Sequence, residues 1–312
     1  MKERSANLVP FRMFGIPEQD FEKSKVAFLF VPYDATTTWK PGSREGPKAI
    51  LDASMCIDEI WGEEEWHPIV EDKFLYTFEG QVSKYGGSTR EHLTSFRNFI
   101  WENIGKYGKI PFLIGGEHSL SYPNICAVYN NCNDFSILHF DAHPDLRDSY
   151  DGDYYSHSTP MRRSFELGHK VSLTSVGIRS IDRDVQRYIA NQRKYNNQEK
   201  SLNIFGPRGF NLREVEYTLK ENVYITVDLD VLDSMSAVGT PQPDGMNSEE
   251  VAQLLQYVIT RHNIIGMDVV ELSPVANLNA PNALAAKLIW KMVESLYFSM
   301  QKEERDGKNK TR

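Results

Sequence analysis

The organisation of this chain follows most directly from residues 135–145, FSILHFDAHPD, where an apolar run precedes three potential metal ligands. The run 135–140 is short and rich in Phe, Ile and Leu, which is typical of a strand buried on both faces. Alternate residues of an extended chain lie on the same side, so Asp141, His143 and Asp145 can converge on one point. The stretch therefore predicts a buried strand that ends in a cluster of ligand-type side chains.

A second stretch repeats this arrangement further along the chain. Apolar residues 223–227 are followed by Asp228 and Asp230, again at alternating positions. The two stretches bring five ligand-type side chains to strand ends, where leaving them unpaired would be costly. We therefore expect a pair of divalent cations to neutralise them.

The rest of the sequence alternates short apolar runs with amphipathic segments, which predicts an α/β fold with a doubly wound parallel sheet and helices on both faces. Strands are predicted at residues 26–31, 111–114, 135–140, 171–178, 223–227 and 264–270. Helices are predicted at residues 47–53, 90–104, 121–129, 159–167, 185–193, 212–220, 248–261 and 282–299. No linker or break in composition divides the sequence. We expect one domain over residues 1–312, with an N-terminal arm at 1–20 and a charged tail at 301–312 that frays.

Composition disfavours several classes of function. The 312 residues include 35 basic and 43 acidic side chains, a net charge of −8, which argues against non-specific nucleic-acid binding and is compatible with a cationic substrate. Three cysteines without a CxxC spacing indicate a reducing compartment. Neither a signal peptide nor an apolar run of membrane-spanning length is apparent, so we expect a cytoplasmic protein without a membrane partner.

A further ligand candidate, His118, lies in the GGEHS motif of residues 115–119, directly after the predicted strand 111–114. Sites in open parallel sheets form at the carboxyl ends of strands, so we expect one shared site. Its predicted metal ligands are His118, Asp141, His143, Asp145, Asp228 and Asp230. Carboxylates with imidazole and no cysteine suit Mn²⁺, with Fe²⁺, Co²⁺ or Zn²⁺ as alternatives. Six ligands suit two ions about 3.5–4 Å apart.

Each motif taken alone is also compatible with a surface turn or a helix cap, and only their joint placement favours metal binding. The remaining histidines are interpreted as surface or satisfied core residues. They are His67, His92, His139, His169 and His262.

Together, the motifs resemble the ureohydrolase family of arginases and agmatinases, and the agmatinases most. The similarity covers nearly the whole sequence. Besides the three ligand motifs it includes VPYD at 31–34, PGSREGP at 41–47, SHSTPMRR at 156–163, VGIRS at 176–180 and VELSP at 270–274. The resemblance implies an arginase-like three-layer α/β/α sandwich with a mostly parallel, doubly wound sheet. It also implies a hydrolase of linear amidine C–N bonds that assembles as a homo-oligomer, a trimer or hexamer.

The resemblance further implies roles for individual residues. One Mn²⁺ would be held by His118, Asp141, Asp145 and Asp228. The other would be held by His143, Asp141, Asp228 and Asp230, giving two ions per subunit with Asp141 and Asp228 as bridges. A metal-bound hydroxide would attack the guanidinium carbon and release urea and a primary amine. Glu271 matches the glutamate that grips the guanidinium, and His157 matches the histidine that relays protons or orients substrate.

The loop after Asp145 is expected to select the substrate. Arginases carry an asparagine two residues after that aspartate, whereas this chain has Arg147. Arg147, Asp148 and Asp153 are therefore candidate substrate-binding residues, beside Glu271 and His157. The acidic loop favours agmatine, cleaved to putrescine and urea as in polyamine biosynthesis.

Other functions stay open at this point. Aminopropylagmatine would suit an acidic mouth as well, while Arg147 is compatible with an acidic substrate such as guanidinobutyrate or formiminoglutamate; arginine is a further alternative. Gln242 replaces the family's usual glutamate, and the loop before it is two residues shorter, which leaves substrate preference open. An alternative of another class is a non-catalytic metal-binding interaction protein.

Overall fold

The computed structural model describes residues 12–16, 18–55, 68–78, 87–233 and 235–310. For residue 303 and residues 306–310 it describes only the backbone. In these ranges eight strands form one sheet in which every pair is parallel, in the order β2-β1-β3-β8-β7-β4-β5-β6. The strands are β1 Val26–Val31, β2 Leu75–Thr77, β3 Ile110–Gly115, β4 Phe135–Phe140, β5 Val171–Val176, β6 Leu202–Phe205, β7 Asn222–Asp228 and β8 Asn263–Val270.

Helices cover both faces of this sheet. They are α1 Gly46–Ser54, α2 Thr89–Asn103, α3 Ser121–Tyr129, α4 Pro160–Phe165, α5 Arg183–Arg193, α6 Leu212–Glu216, α7 Ser248–Ile259 and α8 Ala280–Lys310. Alternate side chains of one strand pack into different cores: in β4, Phe135 and Ile137 pack with α3, α4 and α5, whereas Leu138 and Phe140 pack with α1, α7 and α8. The sheet is therefore the middle layer of three, and the predicted α/β/α sandwich is confirmed.

The predicted strands are recovered with small shifts at their ends, and two short strands at the sheet edges, β2 and β6, were not predicted. Strand β5 ends at Val176 rather than at residue 178, because Gly177 adopts a φ of +96°. A Cβ there would lie 2.5 Å from a methyl group of Val231, so only glycine fits this turn. The last helix continues to Lys310, beyond the predicted end at 299, while fraying of the tail stays a prediction.

The register of the central strands aligns their carboxyl ends. Ile114 pairs with Val269, Val270 with Asp228, and Val227 with Phe140. The loops that follow β3, β8, β7 and β4 therefore leave the sheet side by side, where sites form in open α/β sheets. Within the described ranges, none of the helices combines the length and the apolar character that crossing a membrane requires.

Candidate metal centre and active-site cavity

All six predicted metal ligands lie at the carboxyl ends of these strands or in the loops that follow them, and four of the six are carboxylates almost fully removed from solvent. The carboxylates are Asp141, Asp145, Asp228 and Asp230. One of them, Asp145, takes a positive φ of +48°, as does Glu271 on the loop after β8, at +69°. Side chains other than glycine rarely adopt this conformation, and it is concentrated at functional sites.

His118 provides the first half of the cluster. Its Nδ1 atom lies 3.0 Å from an oxygen of Asp145, 3.1 Å from one of Asp141 and 3.4 Å from one of Asp228. This nitrogen is buried, yet it makes no hydrogen bond of acceptable geometry to any residue that the structure describes. The other ring nitrogen, Nε2, lies 3.0 Å from the hydroxyl of Thr226. Thr226 thus orients the ring so that Nδ1 faces three carboxylates.

His143 provides the second half. Its Nδ1 atom lies 2.9 Å from an oxygen of Asp230 and 3.5 Å from the second oxygen of Asp141. Asp141 therefore faces both histidines, one with each oxygen, as expected of a bridging ligand. The Nε2 atom of His143 lies 3.4 Å from the side-chain amide of Gln242. Gln242, the residue that departs from the family pattern, is thus the neighbour that can orient this imidazole.

The cluster fits a pair of divalent cations by its own chemistry. Burial, with the neighbouring Asp230 and Asp141 carboxylates, raises the pKa of Asp228 well above its usual range. Divalent cations would remove this mutual repulsion and would occupy the lone pair that Nδ1 of His118 leaves without a hydrogen bond. Two smaller groups within the cluster already bring ligand atoms within metal-binding reach. They are His118, His139 and Asp141, and Asp141, His143 and Asp230.

His139 has a closer connection to the cluster than the sequence indicated. It is fully buried in β4, as a satisfied core residue would be, but its Nε2 atom lies 2.8 Å from Asp141 Oδ2. Its Nδ1 atom lies 2.9 Å from the hydroxyl of Ser175. His139 therefore fixes the carboxylate that faces both halves of the cluster. This contact could have been predicted from the sequence, because residues 139 and 141 alternate at the end of an extended segment and so lie on the same side of it.

Glu271 and His157 lie beside the cluster. Glu271 is buried and accepts a hydrogen bond of 2.7 Å from the backbone N–H of His118. Burial, with the nearby Glu117 carboxylate, raises the pKa of Glu271 to about 8. His157 is half-buried, burial lowers its pKa, and its ring meets Tyr150 edge to face at 5.6 Å between centroids.

These groups open onto a cavity of about 370 Å³. Its lining includes the predicted residues His118, His143, Asp145, Arg147, His157, Asp228 and Glu271. It also includes Asp182, which the sequence did not single out. Asp182 caps α5 through its Oδ1 atom and forms a 2.9 Å ion pair with Arg147 through Oδ2. Arg147 also stacks on Tyr150, 4.6 Å from the ring centroid, so its guanidinium already has partners.

The other loop carboxylates predicted to bind substrate are not among the described residues that line this cavity. Asp148 forms a 2.7 Å ion pair with Arg163 and faces a neighbouring cleft. Asp153 accepts a hydrogen bond from the backbone N–H of Tyr155. The structure therefore brings Arg147, but not these two carboxylates, to the predicted site.

The remaining histidines and cysteines lie away from the cluster where the structure describes them. His92 is buried beside Tyr33, His169 is exposed, and His262 contacts the backbone carbonyl of Lys220. Cys126 and Cys132 are free thiols. His67 and Cys56 lie outside the described residues.

Comparisons with known proteins agree with this geometry. The model of the Arginase family matches residues 24–294. N(1)-aminopropylagmatine ureohydrolase of Thermus thermophilus is 34% identical over 285 residues, covering 89% of this chain and 92% of the relative. Agmatinase of Bacillus subtilis is 33% identical over 291 residues, covering 90% of this chain and 95% of the relative.

The same likeness extends to three dimensions. The crystal structure of agmatine ureohydrolase of Thermoplasma volcanium superposes with a TM-score of 0.76 at 25% identity, covering 96% of this chain and 97% of that one. The family model spans most of the sequence, and it coincides with the fold and the clustered motifs. The chain therefore belongs to the arginase family of hydrolases, as its sequence motifs predicted.

Proposed function

We propose that this protein is a binuclear manganese ureohydrolase that cleaves agmatine to putrescine and urea. The observation that carries the proposal is that Glu271 and His157 line one cavity together with four of the predicted metal ligands, His118, His143, Asp145 and Asp228. The relatives named agmatinase and aminopropylagmatine ureohydrolase support the substrate class. Mn²⁺ suits the mixed carboxylate and imidazole donors.

The protein's own residues supply binding and proton transfer. Bound divalent cations would lower the pKa of a coordinated water and so provide a nucleophile at neutral pH. Glu271 offers a buried carboxylate, which can accept paired N–H bonds from the planar guanidinium. His157 is held largely neutral by burial, so it can accept a proton and pass it to the leaving amine.

The charge at the cavity wall favours a substrate with a second positive group. Asp182 lines the cavity, and its ion pair with Arg147 is partly exposed, with about a third of the Asp182 side chain open to solvent. A substrate ammonium can replace Arg147 as the partner of Asp182 without burying a new charge. A substrate carboxylate would instead need Arg147 as its partner, and Asp182 and Tyr150 already engage that guanidinium. Agmatine therefore suits this wall better than arginine or guanidinobutyrate.

Aminopropylagmatine is a second candidate, because another cleft adjoins the cavity. This cleft, of about 500 Å³, shares Leu146, Arg147, Asp182 and Val185 with the cavity that holds the cluster. The ion pair between Arg147 and Asp182 thus borders both spaces. A longer amine could continue from the cavity into the cleft past this pair.

A urea-release screen tests the proposal. The purified protein, loaded with Mn²⁺, is given agmatine, aminopropylagmatine, arginine and guanidinobutyrate, and formamide release is measured from formiminoglutamate. We expect turnover of agmatine or its aminopropyl derivative, and loss of turnover on chelation that Mn²⁺ restores. Absence of urea from every guanidine compound, with metal bound, would leave the non-catalytic alternative in place.

A further inference from the structure

Thr36 connects a buried carboxylate to His157 by a chain of short contacts. Its hydroxyl donates a 2.7 Å hydrogen bond to Glu117 Oε1, and its backbone N–H donates one of 2.7 Å to Glu117 Oε2. The same hydroxyl oxygen accepts a 2.9 Å hydrogen bond from the backbone N–H of His157. It also lies 3.3 Å from Nδ1 of the His157 ring. None of these residues except His157 was singled out by the sequence.

The direction of each hydrogen bond follows from counting donors. Three donors lie within 2.7 Å of the fully buried Glu117: the N–H and hydroxyl of Thr36, and the hydroxyl of Ser119. Burial raises the pKa of Glu117 to about 7, whereas these three hydrogen bonds act against that rise and favour the ionised carboxylate, which only accepts. The single hydroxyl proton of Thr36 is then committed to Glu117. Its oxygen has only acceptor capacity left, so Nδ1 of His157 must be the donor.

We propose that Thr36, oriented by Glu117, is a positioning residue that holds neutral His157 as the Nδ1–H tautomer. The lone pair of the imidazole is thereby placed on Nε2, the nitrogen that Thr36 does not contact. Tyr150, edge to face against the ring, limits rotation that would exchange the two nitrogens. This inference rests on the proposed function, in which His157 transfers a proton within the cavity.

The tautomer matters because proton transfer needs a lone pair facing the reaction. When water adds to the guanidinium carbon, a C–O bond forms and one proton of water passes to Nε2. The C–N bond to the amine then breaks as that proton passes from Nε2 to the leaving nitrogen. The C=O bond of urea forms as the second proton of water leaves the hydroxyl for the amine, which departs as an ammonium ion. No other co-reactant is needed, and His157 returns to its starting form. With the opposite tautomer, Nε2 would carry a proton from the start and could not accept one.

Substitutions at two adjacent threonines separate this role from a general loss of structure. Thr36→Val keeps the shape of the side chain but removes the hydroxyl, whereas Thr36→Ser keeps the hydroxyl. Thr37→Val is the matched control, because the Thr37 hydroxyl lies 3.5 Å from Glu117, and no contact with His157 is observed for it. We expect Thr36→Val to lower kcat about 10- to 100-fold, within the range that a positioned acid–base group contributes. KM and metal content should be little changed, and Thr36→Ser and Thr37→Val should turn over like the wild type.

Neutron diffraction from the metal-loaded protein reads the tautomer directly. We expect deuterium on Nδ1 of His157 and on the hydroxyl of Thr36 towards Glu117. Deuterium on Nε2 alone, or on Glu117, overturns the inference, and so does full activity of Thr36→Val. If the wild type releases no urea from any guanidine compound, the proposed function fails instead, and the diffraction result still decides the tautomer.

Discussion

Metal binding should stabilise this protein in two separable steps, because the cluster divides into a His118 half and a His143 half joined by Asp141. Without cations, the fold must keep four carboxylates together out of solvent. A ligand that binds only the folded state adds about 2.7 kcal/mol when its concentration is a hundred times its Kd. Two ions at this excess add about 5 kcal/mol to the free energy of unfolding.

The expected shift in melting temperature follows from the chain length. For 312 residues, the entropy of unfolding is about 0.65 kcal/mol per kelvin, so the wild type should gain about 8 °C on saturation with Mn²⁺. His143→Ala removes one imidazole and leaves the His118 half intact, so the gain should fall to about 4 °C. Differential scanning calorimetry of metal-free and metal-loaded protein measures both values, with bound metal counted by mass spectrometry.

His169→Ala is the matched control, since it removes an exposed histidine away from the cluster. Its metal-dependent gain should equal that of the wild type. Two separate metal sites are excluded if His143→Ala keeps both ions and the full gain. They are excluded equally if the wild type binds a single ion.

Three substitutions test the roles of neighbouring residues. Gln242→Glu should bind Mn²⁺ about 10-fold more tightly and Gln242→Met about 10-fold more weakly, since residues that hydrogen-bond a ligating histidine tune its basicity. Calorimetric titration measures both affinities, and equal values would exclude a role of Gln242 in orienting His143. Glu271→Gln should retain both ions but lose about 100-fold in kcat/KM for agmatine, because it removes a charge-assisted contact to the guanidinium. Retention of the wild-type kcat/KM would exclude Glu271 from substrate binding. Asp182→Asn preserves the cap of α5 yet removes the charge, so KM for agmatine should rise about 10-fold with kcat nearly constant. An unchanged KM would mean that Asp182 stays paired with Arg147, and not with substrate, throughout turnover.

The sequence predicted the central sheet well because its strands are buried on both faces. Strands such as β4 and β7 are mostly apolar and almost wholly buried, so each can be recognised as a strand from its local sequence without information from distant residues. The edge strands β2 and β6 have only three and four residues, and in β6 three of the four are only partly buried. Such short segments acquire strand conformation from pairing with a neighbour, which no local pattern records.

The same distinction applies to the site. The meeting of candidate ligands spaced at alternating positions after a strand could be predicted, because extended geometry brings them together within one loop. The contacts of Thr36 and Asp182 could not be predicted, because each contacts a residue that only the fold brings near. Thr36 and His157, for example, are 121 residues apart in the sequence. The acidic charges at Asp148 and Asp153 were interpreted as facing the substrate, but local partners, an arginine and a backbone N–H, engage them. Charge counted along a loop does not give the direction of its side chains.

Backbone strain connects the predicted metal ligands to the carboxylate that we propose binds substrate. Asp145 and Glu271 both hold positive φ angles, a conformation that costs about 1–3 kcal/mol for a residue other than glycine. Glycine would relieve the strain at either position but would remove the carboxylate. The surrounding structure offsets the cost through backbone hydrogen bonds: Glu271 N–H donates to Gly116 at 2.7 Å, and the carbonyl of Asp145 accepts from Arg162 at 3.1 Å.

The partner of Glu271 explains why this strain is useful. Gly116 and His118 belong to one turn, and Glu271 bonds to both, through its backbone N–H and through its side chain. The position of the Glu271 carboxylate is thereby tied to the position of His118, a predicted metal ligand, with no flexible segment between them. A cation pair that shifts His118 must also shift Glu271. We therefore expect metal loading to order both residues together, so that guanidinium binding depends on the metal ions even though Glu271 does not ligate them.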